Sequence, residues 1–217
     1  MSSPFDFIMV MLILTNLGLL GMSRLQSCIQ ILALQGLLLG TLPLTNTQEL
    51  ISIRAIFLAG GSMVLKAIVF PRLLKRTLTD ANVQREVEPF IGYSVSLMMG
   101  IGLLGLSFWL SSRFPLPTII TSRFVIPVAL FMIMTGLFLI ISRKKALTQV
   151  LGYLVLENGI YAFGVVISPE APSLVEMGVL LDAFVAVFIM GILMFHINRE
   201  FDHIDTDRLA SLKDWTS

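Results

Sequence analysis

Polar positions are sparse along this chain, and they divide it into apolar blocks of roughly twenty residues, the length that crosses about 30 Å of hydrocarbon. Seven such blocks predict seven membrane helices, near Phe7–Met22, Ile29–Leu44, Ile53–Leu74, Phe90–Leu110, Phe124–Ile141, Leu147–Ile167 and Leu174–Ile197. The fold class is therefore all-α and polytopic. The intervening basic residues set the orientation, because Lys and Arg resist translocation. With the N-terminus outside, eleven fall on the inner side: Arg24, Arg72, Lys75, Arg76, Arg85, Arg143, Lys144, Lys145, Arg199, Arg208 and Lys213. Only Arg54, Arg113 and Arg123 fall on the outer side, so the N-terminus is expected out and the C-terminus in.

The pattern also repeats weakly. Shifted by 119 positions, SRLQSCIQILALQGLLLG (Ser23–Gly40) lies over SRKKALTQVLGYLVLENG (Ser142–Gly159), each a tight inner turn followed by a helix. This suggests two similar three-helix units in parallel arrangement. The chain then divides into an N-terminal membrane unit over 1–88, a bridging helix and outer loop over 89–123, and a C-terminal unit over 124–217. Parallel units differ from the inverted repeats of many transporters, and no helix pair shows the matched Gly/Pro interruptions of a substrate pocket.

Composition agrees with the pattern and narrows the chemistry. Hydrophobic residues make up 56% of the 217 and charged residues 13%, where soluble domains carry about a quarter charged. A formal net charge of +1 offers no footprint for nucleic acid. One cysteine, Cys28, and two histidines, His196 and His203, exclude a disulfide framework and a Cys-rich metal site, so neither cofactor nor metal is expected. No nucleotide fingerprint or nucleophile–base spacing appears. The opening MSSPFDF carries Asp6 where a cleavable signal peptide is basic, so the first block is expected to be a retained helix.

Arg54, Arg72 and His196 lie at span ends, where water is close; four other ionisable residues fall inside the spans: Lys66, Glu157, Glu176 and Asp182. Glu157 lies ten residues past the inner end of its helix, about 15 Å deep at the rise of an α-helix. Asp182 lies about 12 Å from the outer end of its own span, and Lys66 at a similar depth from the inner side. All three are thus expected near the midplane, on three different helices. Glu176 sits near the outer end, where the plain reading is an interfacial carboxylate. For the other three the plain reading is a structural ion pair, or snorkelling in the case of Lys66. The alternative is a relay, because a buried carboxylate needs a cation, water or a proton, and a proton path needs the same.

The run FMIMTGLFLIISRKKALTQVLGYLVLENGIYAF resembles the first two helices of the K subunit of bacterial complex I and of the C subunit of Mrp antiporters. The following LVEMGVLLDAFVAVFIMGIL is similar to their third helix, which carries a second carboxylate. One departure stands out: with Gly152 matched to the motif, Leu154 occupies the family's Glu position and Glu157 comes one turn later. Three residues rotate by about 300°, so Glu157 keeps nearly the same face. Gln35 holds the corresponding position in the first repeat.

Almost the whole chain resembles a longer, seven-helix form, the hydrogenase-4 component E family of membrane-bound [NiFe] hydrogenases and formate hydrogenlyases. VLKAIVFP, GYLVLENG and LVEMGVLLDAFVAVFIM carry that likeness. The resemblance implies a multi-pass subunit of a bacterial or archaeal cytoplasmic (inner) membrane, without cofactors and not catalytic alone. Its partners would be antiporter-like subunits and the membrane anchor of the hydrogenase module. Lys66, Glu157, Asp182 and Glu176 would form part of a proton or sodium path driven by redox chemistry elsewhere. An Mrp-type antiporter component and a purely structural scaffold of the membrane arm remain the rival readings.

Overall fold

The computed structural model describes residues 4–45, 60, 61, 63–80, 91–113, 123–144 and 146–167, together with Gly178, Phe184, Phe188 and Gly191. Glu176, Asp182, His196, most of the seventh predicted span and the C-terminal tail lie outside the described residues.

Helix α1 (Pro4–Gly21) begins with proline in its first turn, where a missing N–H goes unnoticed, and with Asp6 beside the positive end of its dipole. It ends at Gly21, and a turn over Met22–Arg24 reverses the chain into α2 (Leu25–Thr45). After residues of helical form from Gly60, a π-helical turn (Leu65–Val69) runs directly into α3 (Phe70–Asp80). Then follow α4 (Tyr93–Ser111), α5 (Val125–Ser142) and α6 (Ala146–Ile167). Every element among the described residues is helical apart from short turns, and Leu25–Leu42, Tyr93–Ser111 and Val125–Ser142 are long and apolar enough to cross a membrane.

Helices α1, α2, α4, α5 and α6 match the first, second, fourth, fifth and sixth predicted blocks to within a few residues, and the described end of the third block extends further. The third block was expected to end at Leu74, but the helix continues to Asp80. FPRLLKRTLTD is amphipathic: Phe70, Leu74 and Leu78 are buried at helical spacing while Arg72, Lys75 and Arg76 are exposed. A hydropathy pattern averages that alternation to polar, whereas a helix keeps it on separate faces.

Helices α1, α2, α6 and α5 close a ring, each touching the next, with α4 outside against α1 and α5 and the π turn and α3 outside against α2. Two apolar clusters fill this arrangement. One joins the ends that carry the α1–α2 and α5–α6 turns, with Leu19, Leu20, Leu25, Ile29, Leu74, Leu139 and Leu151. The other joins the opposite ends, with Phe5, Met9, Leu12, Leu42, Val128 and Met132. Where lipid is as apolar as the side chains, association depends on close packing, and small residues permit it.

Glycines supply that closeness at particular places. A Cβ at Gly136 would lie 2.5 Å from the Leu156 backbone N, and one at Gly152 would lie 2.9 Å from the Ile140 backbone N. One at Gly159 would lie 2.8 Å from the Ile133 backbone N, so α5 and α6 pack backbone against backbone along their length. Gly100 is closed off by Leu20 and Leu17 of α1, as expected of a packing glycine. Gly60, Gly61, Gly102 and Gly105 also invite that reading from sequence, but they face open space among the described residues. Gly136→Val must push the α5–α6 pair apart, at about 1–3 kcal/mol for an overpacked contact. The amount of monodisperse protein extracted from membranes should fall several-fold for Gly136→Val and stay near wild type for Gly102→Val. Equal yields would show that the α5–α6 contact is looser than described.

Candidate functional site

Between the two apolar clusters lies a layer of buried polar side chains, and Lys66 is its cation. The turn that carries Lys66 is π-helical: the Phe70 backbone N–H donates to the Leu65 carbonyl, five residues back. Pro71 follows at once. It has no N–H to donate to the Ala67 carbonyl, and its ring crowds that carbonyl, which accounts for the widened turn. The neighbouring helix makes room for Lys66 in turn. A Cβ at Gly36 would come within 2.8 Å of the Lys66 Cβ, and one at Gly40 within 2.7 Å of Met63 Cγ, so the Gly36–Gly40 spacing lets the two backbones meet.

From there the lysine reaches α6. Its Nζ donates to Glu157 Oε1 at 2.9 Å and to Asn158 Oδ1 at 3.2 Å, and lies 4.9 Å from the centre of the Tyr161 ring. Lys66 is 5% exposed and Glu157 2%, so the ion pair is enclosed. Leu32, Phe70 and Leu154 wall the small recess around it. Leu154 and Glu157 therefore open on the same recess, as the rotation along the helix requires. An enclosed pair of this kind gains little net stability, but removing one partner strands the other at about 3–5 kcal/mol. Tyr161 and Asn158 lessen that penalty for the ammonium, one through its ring face and one through its amide oxygen.

The layer extends beyond the pair. Gln35 Nε2 donates to Thr15 Oγ1 at 3.2 Å; Thr15 Oγ1 in turn donates to the Leu12 carbonyl at 2.9 Å, and Asn16 Nδ2 donates to the same carbonyl at 2.8 Å. Thr15, Asn16, Gln35 and Thr135 are all buried. Sequence reading marked Gln35 only as a counterpart of Leu154 and passed over Thr15, Asn16 and Thr135. Their signal was present: polar residues in the middle of the apolar first and fifth spans.

Arg143 departs from expectation. It was counted among the charges of the inner surface, yet it is 1% exposed. Its Nη2 donates to the Leu20 carbonyl at 3.2 Å and its guanidinium lies 5.6 Å from the Tyr93 ring centre. Burial pulls its affinity for the proton down, while the neighbouring Tyr93 and Cys28 oppose that shift; an arginine stays charged regardless. Arg143 thus ties the α5–α6 turn to the ends of α1 and α4. Arg24, its counterpart in the repeat, is exposed, although both residues form an isolated backbone bridge in their turns. Among the described residues no group of three or more His, Cys, Asp or Glu gathers to hold a metal.

Residues 124–214 match the family model described as NADH-ubiquinone/plastoquinone oxidoreductase chain 4L. The match contains Glu157 and Asn158 but not Lys66, so the ion pair joins the matched part to the N-terminal part. An uncharacterized protein of Mycobacterium tuberculosis is 30% identical over 217 aligned positions, covering 96% of both chains. Hydrogenase-4 component E of Escherichia coli is 26% identical over 157 positions, 71% of this chain and 72% of that one, and the same protein of Shigella flexneri matches equally well. No solved structure is a significant match. Apolar helices around an enclosed charge pair, with a chain 4L-like C-terminal part, define a membrane subunit of the complex I type. The chain belongs to one family with the Mycobacterium tuberculosis protein, and hydrogenase-4 component E is a homologue at 26% identity.

The ion pair makes a quantitative demand. Lys66→Met and Glu157→Leu should each lower the recovered folded protein severely, by the penalty of a stranded charge, about 3–5 kcal/mol. The double variant should recover much of the loss. Additive losses in such a cycle, measured by thermal unfolding in detergent, would mean that the two side chains do not interact.

Proposed function

We propose that this chain is a membrane-arm subunit of a hydrogenase or formate hydrogenlyase-type complex in the cytoplasmic membrane of a bacterium or archaeon. In this reading it spans the membrane seven times, N-terminus out and C-terminus in, as units 1–88, 89–123 and 124–217. It sits between antiporter-like subunits and the membrane anchor of the hydrogenase module. It performs no redox chemistry itself and holds no cofactor. Lys66, Glu157 and Asp182 act as a midplane relay, with Glu176 near its outer end, for protons or sodium.

The single observation that supports a relay best is the enclosed Lys66–Glu157 pair, with Glu157 Oε2 left without a hydrogen-bond partner among the described residues. A proton arriving at Oε2 neutralises the carboxylate and weakens its hold on the Lys66 ammonium. Asn158 Oδ1 and the Tyr161 ring still solvate that ammonium, so the lysine has a place to stay while Glu157 is neutral. When the proton leaves, the pair reforms. Charge changes on neighbouring subunits drive this cycle, because moving a carboxylate by one pKa unit takes about 1.4 kcal/mol. The short 2.9 Å pair also suits a scaffold in which the charges never change.

Glu157→Gln separates the two. Gln keeps an oxygen for Lys66 but cannot titrate, so assembly of the complex should survive while redox-linked ion translocation in proteoliposomes falls at least about tenfold. Glu157→Asp should keep part of it. A fully assembled Glu157→Gln complex with undiminished translocation would leave the relay reading without support.

A further inference from the structure

Four buried oxygens in the middle of the helix ring have no hydrogen-bond partner among the described residues: Asn16 Oδ1 on α1, Gln35 Oε1 on α2, Thr135 Oγ1 on α5 and Glu157 Oε2 on α6. Each helix of the ring contributes one. Packing puts them at one height. Gln35 bonds Thr15, the neighbour of Asn16, and is followed by Gly36, which abuts Lys66. Thr135 is followed by Gly136, which abuts Leu156, the residue before Glu157. The apolar clusters lie on either side of this level.

The orientation of the amides is not arbitrary. Asn16 and Gln35 spend their N–H groups on the Leu12 carbonyl and Thr15 Oγ1, and that turns both amide oxygens away from these bonds. The unpartnered set therefore consists of acceptors from amide and carboxylate, plus one hydroxyl able to donate or accept. Its complement is a small ligand with more than one hydrogen to give. Water has that chemistry, and buried water characteristically makes two to four bonds to otherwise unsatisfied polar groups.

We propose that the N-terminal hairpin binds internal water at Asn16, Gln35 and Thr135, and that this water extends the polar layer from Glu157 across the ring to α1. Gln35 and Asn16 are then positioning residues: they hold water in line and carry no charge themselves. The functional half of the proposal rests on Glu157 exchanging a proton. The hydration itself does not.

Electron cryomicroscopy of the assembled complex, at a resolution that shows ordered water, tests the hydration directly. Density is expected within hydrogen-bond distance of Gln35 Oε1 and of Asn16 Oδ1 or Thr135 Oγ1; a dry layer in a well-resolved map would overturn the proposal. The shape-conserving variants Gln35→Met and Thr135→Val provide the second readout. In either, the complex should assemble, the density at that residue should be lost, and redox-linked translocation should fall several-fold while hydrogen turnover continues. Water density with unchanged translocation in both variants would overturn the path across the ring. Failure of the Glu157 reading is distinguishable, since an active Glu157→Gln complex would leave the water density in place. Density with the short, sixfold oxygen coordination of a bound cation, strengthened by added sodium, would assign the site to a cation and overturn water as its ligand.

Discussion

An ammonium and a carboxylate held at mid-height between two apolar clusters constrain almost everything around them. Neither Lys66 nor Glu157 is tolerable there alone, because an unpaired charge away from water is among the most expensive things a protein can bury. The pair must therefore form whenever the helices assemble, and every helix near it must be placed so that it can. That requirement fixes how the π turn (Leu65–Val69) approaches α2 and α6, and it accounts for the two features that would otherwise look accidental. One is the π turn, which Pro71 imposes at the level of Lys66. The other is Gly36, whose missing Cβ lets the lysine backbone lie against α2.

The rest of the packing follows from a different constraint. Apolar surface gives helices no preference for one another over lipid, so contact has to be gained through closeness. Gly136, Gly152 and Gly159 bring α5 and α6 together at backbone distance and thereby set the height of Glu157 against Thr135. At the α5–α6 turn, Arg143 reaches across to Leu20 and Tyr93 and ties the turn of one hairpin to the helix ends of its neighbours. The polar layer is thus framed by backbone-to-backbone packing on the α5–α6 side and by the π turn that carries Lys66 on the other.

Much of this was legible in the sequence, for physical reasons that can be named. Helix positions follow from apolar block length, and the depth of Lys66 and Glu157 follows from counting residues at a fixed rise per residue. The turn at Met22–Arg24 was visible as a polar break between two apolar blocks. Burial of Arg143 was not legible, because a basic residue in a turn looks the same whether it faces water or reaches back into the bundle. Nor could sequence tell which glycines are closed in: Gly100 and Gly102 differ only in the helix face they occupy. The π turn needed the proline and the packing together. Thr15, Asn16 and Thr135 were overlooked because single neutral polar residues barely alter the hydropathy of a span, although their burial makes them costly to leave unpaired.

The central claim is that Glu157 changes protonation during turnover and is not locked to Lys66. Redox-triggered infrared difference spectroscopy on the assembled complex measures this most directly, since a carboxylate that takes up a proton acquires the carbonyl stretch of a neutral acid. The account predicts a protonated-carboxyl band that rises or falls with the redox step and is absent in Glu157→Gln. A difference spectrum in that region identical for wild type and Glu157→Gln would contradict it and leave the pair a permanent structural bond.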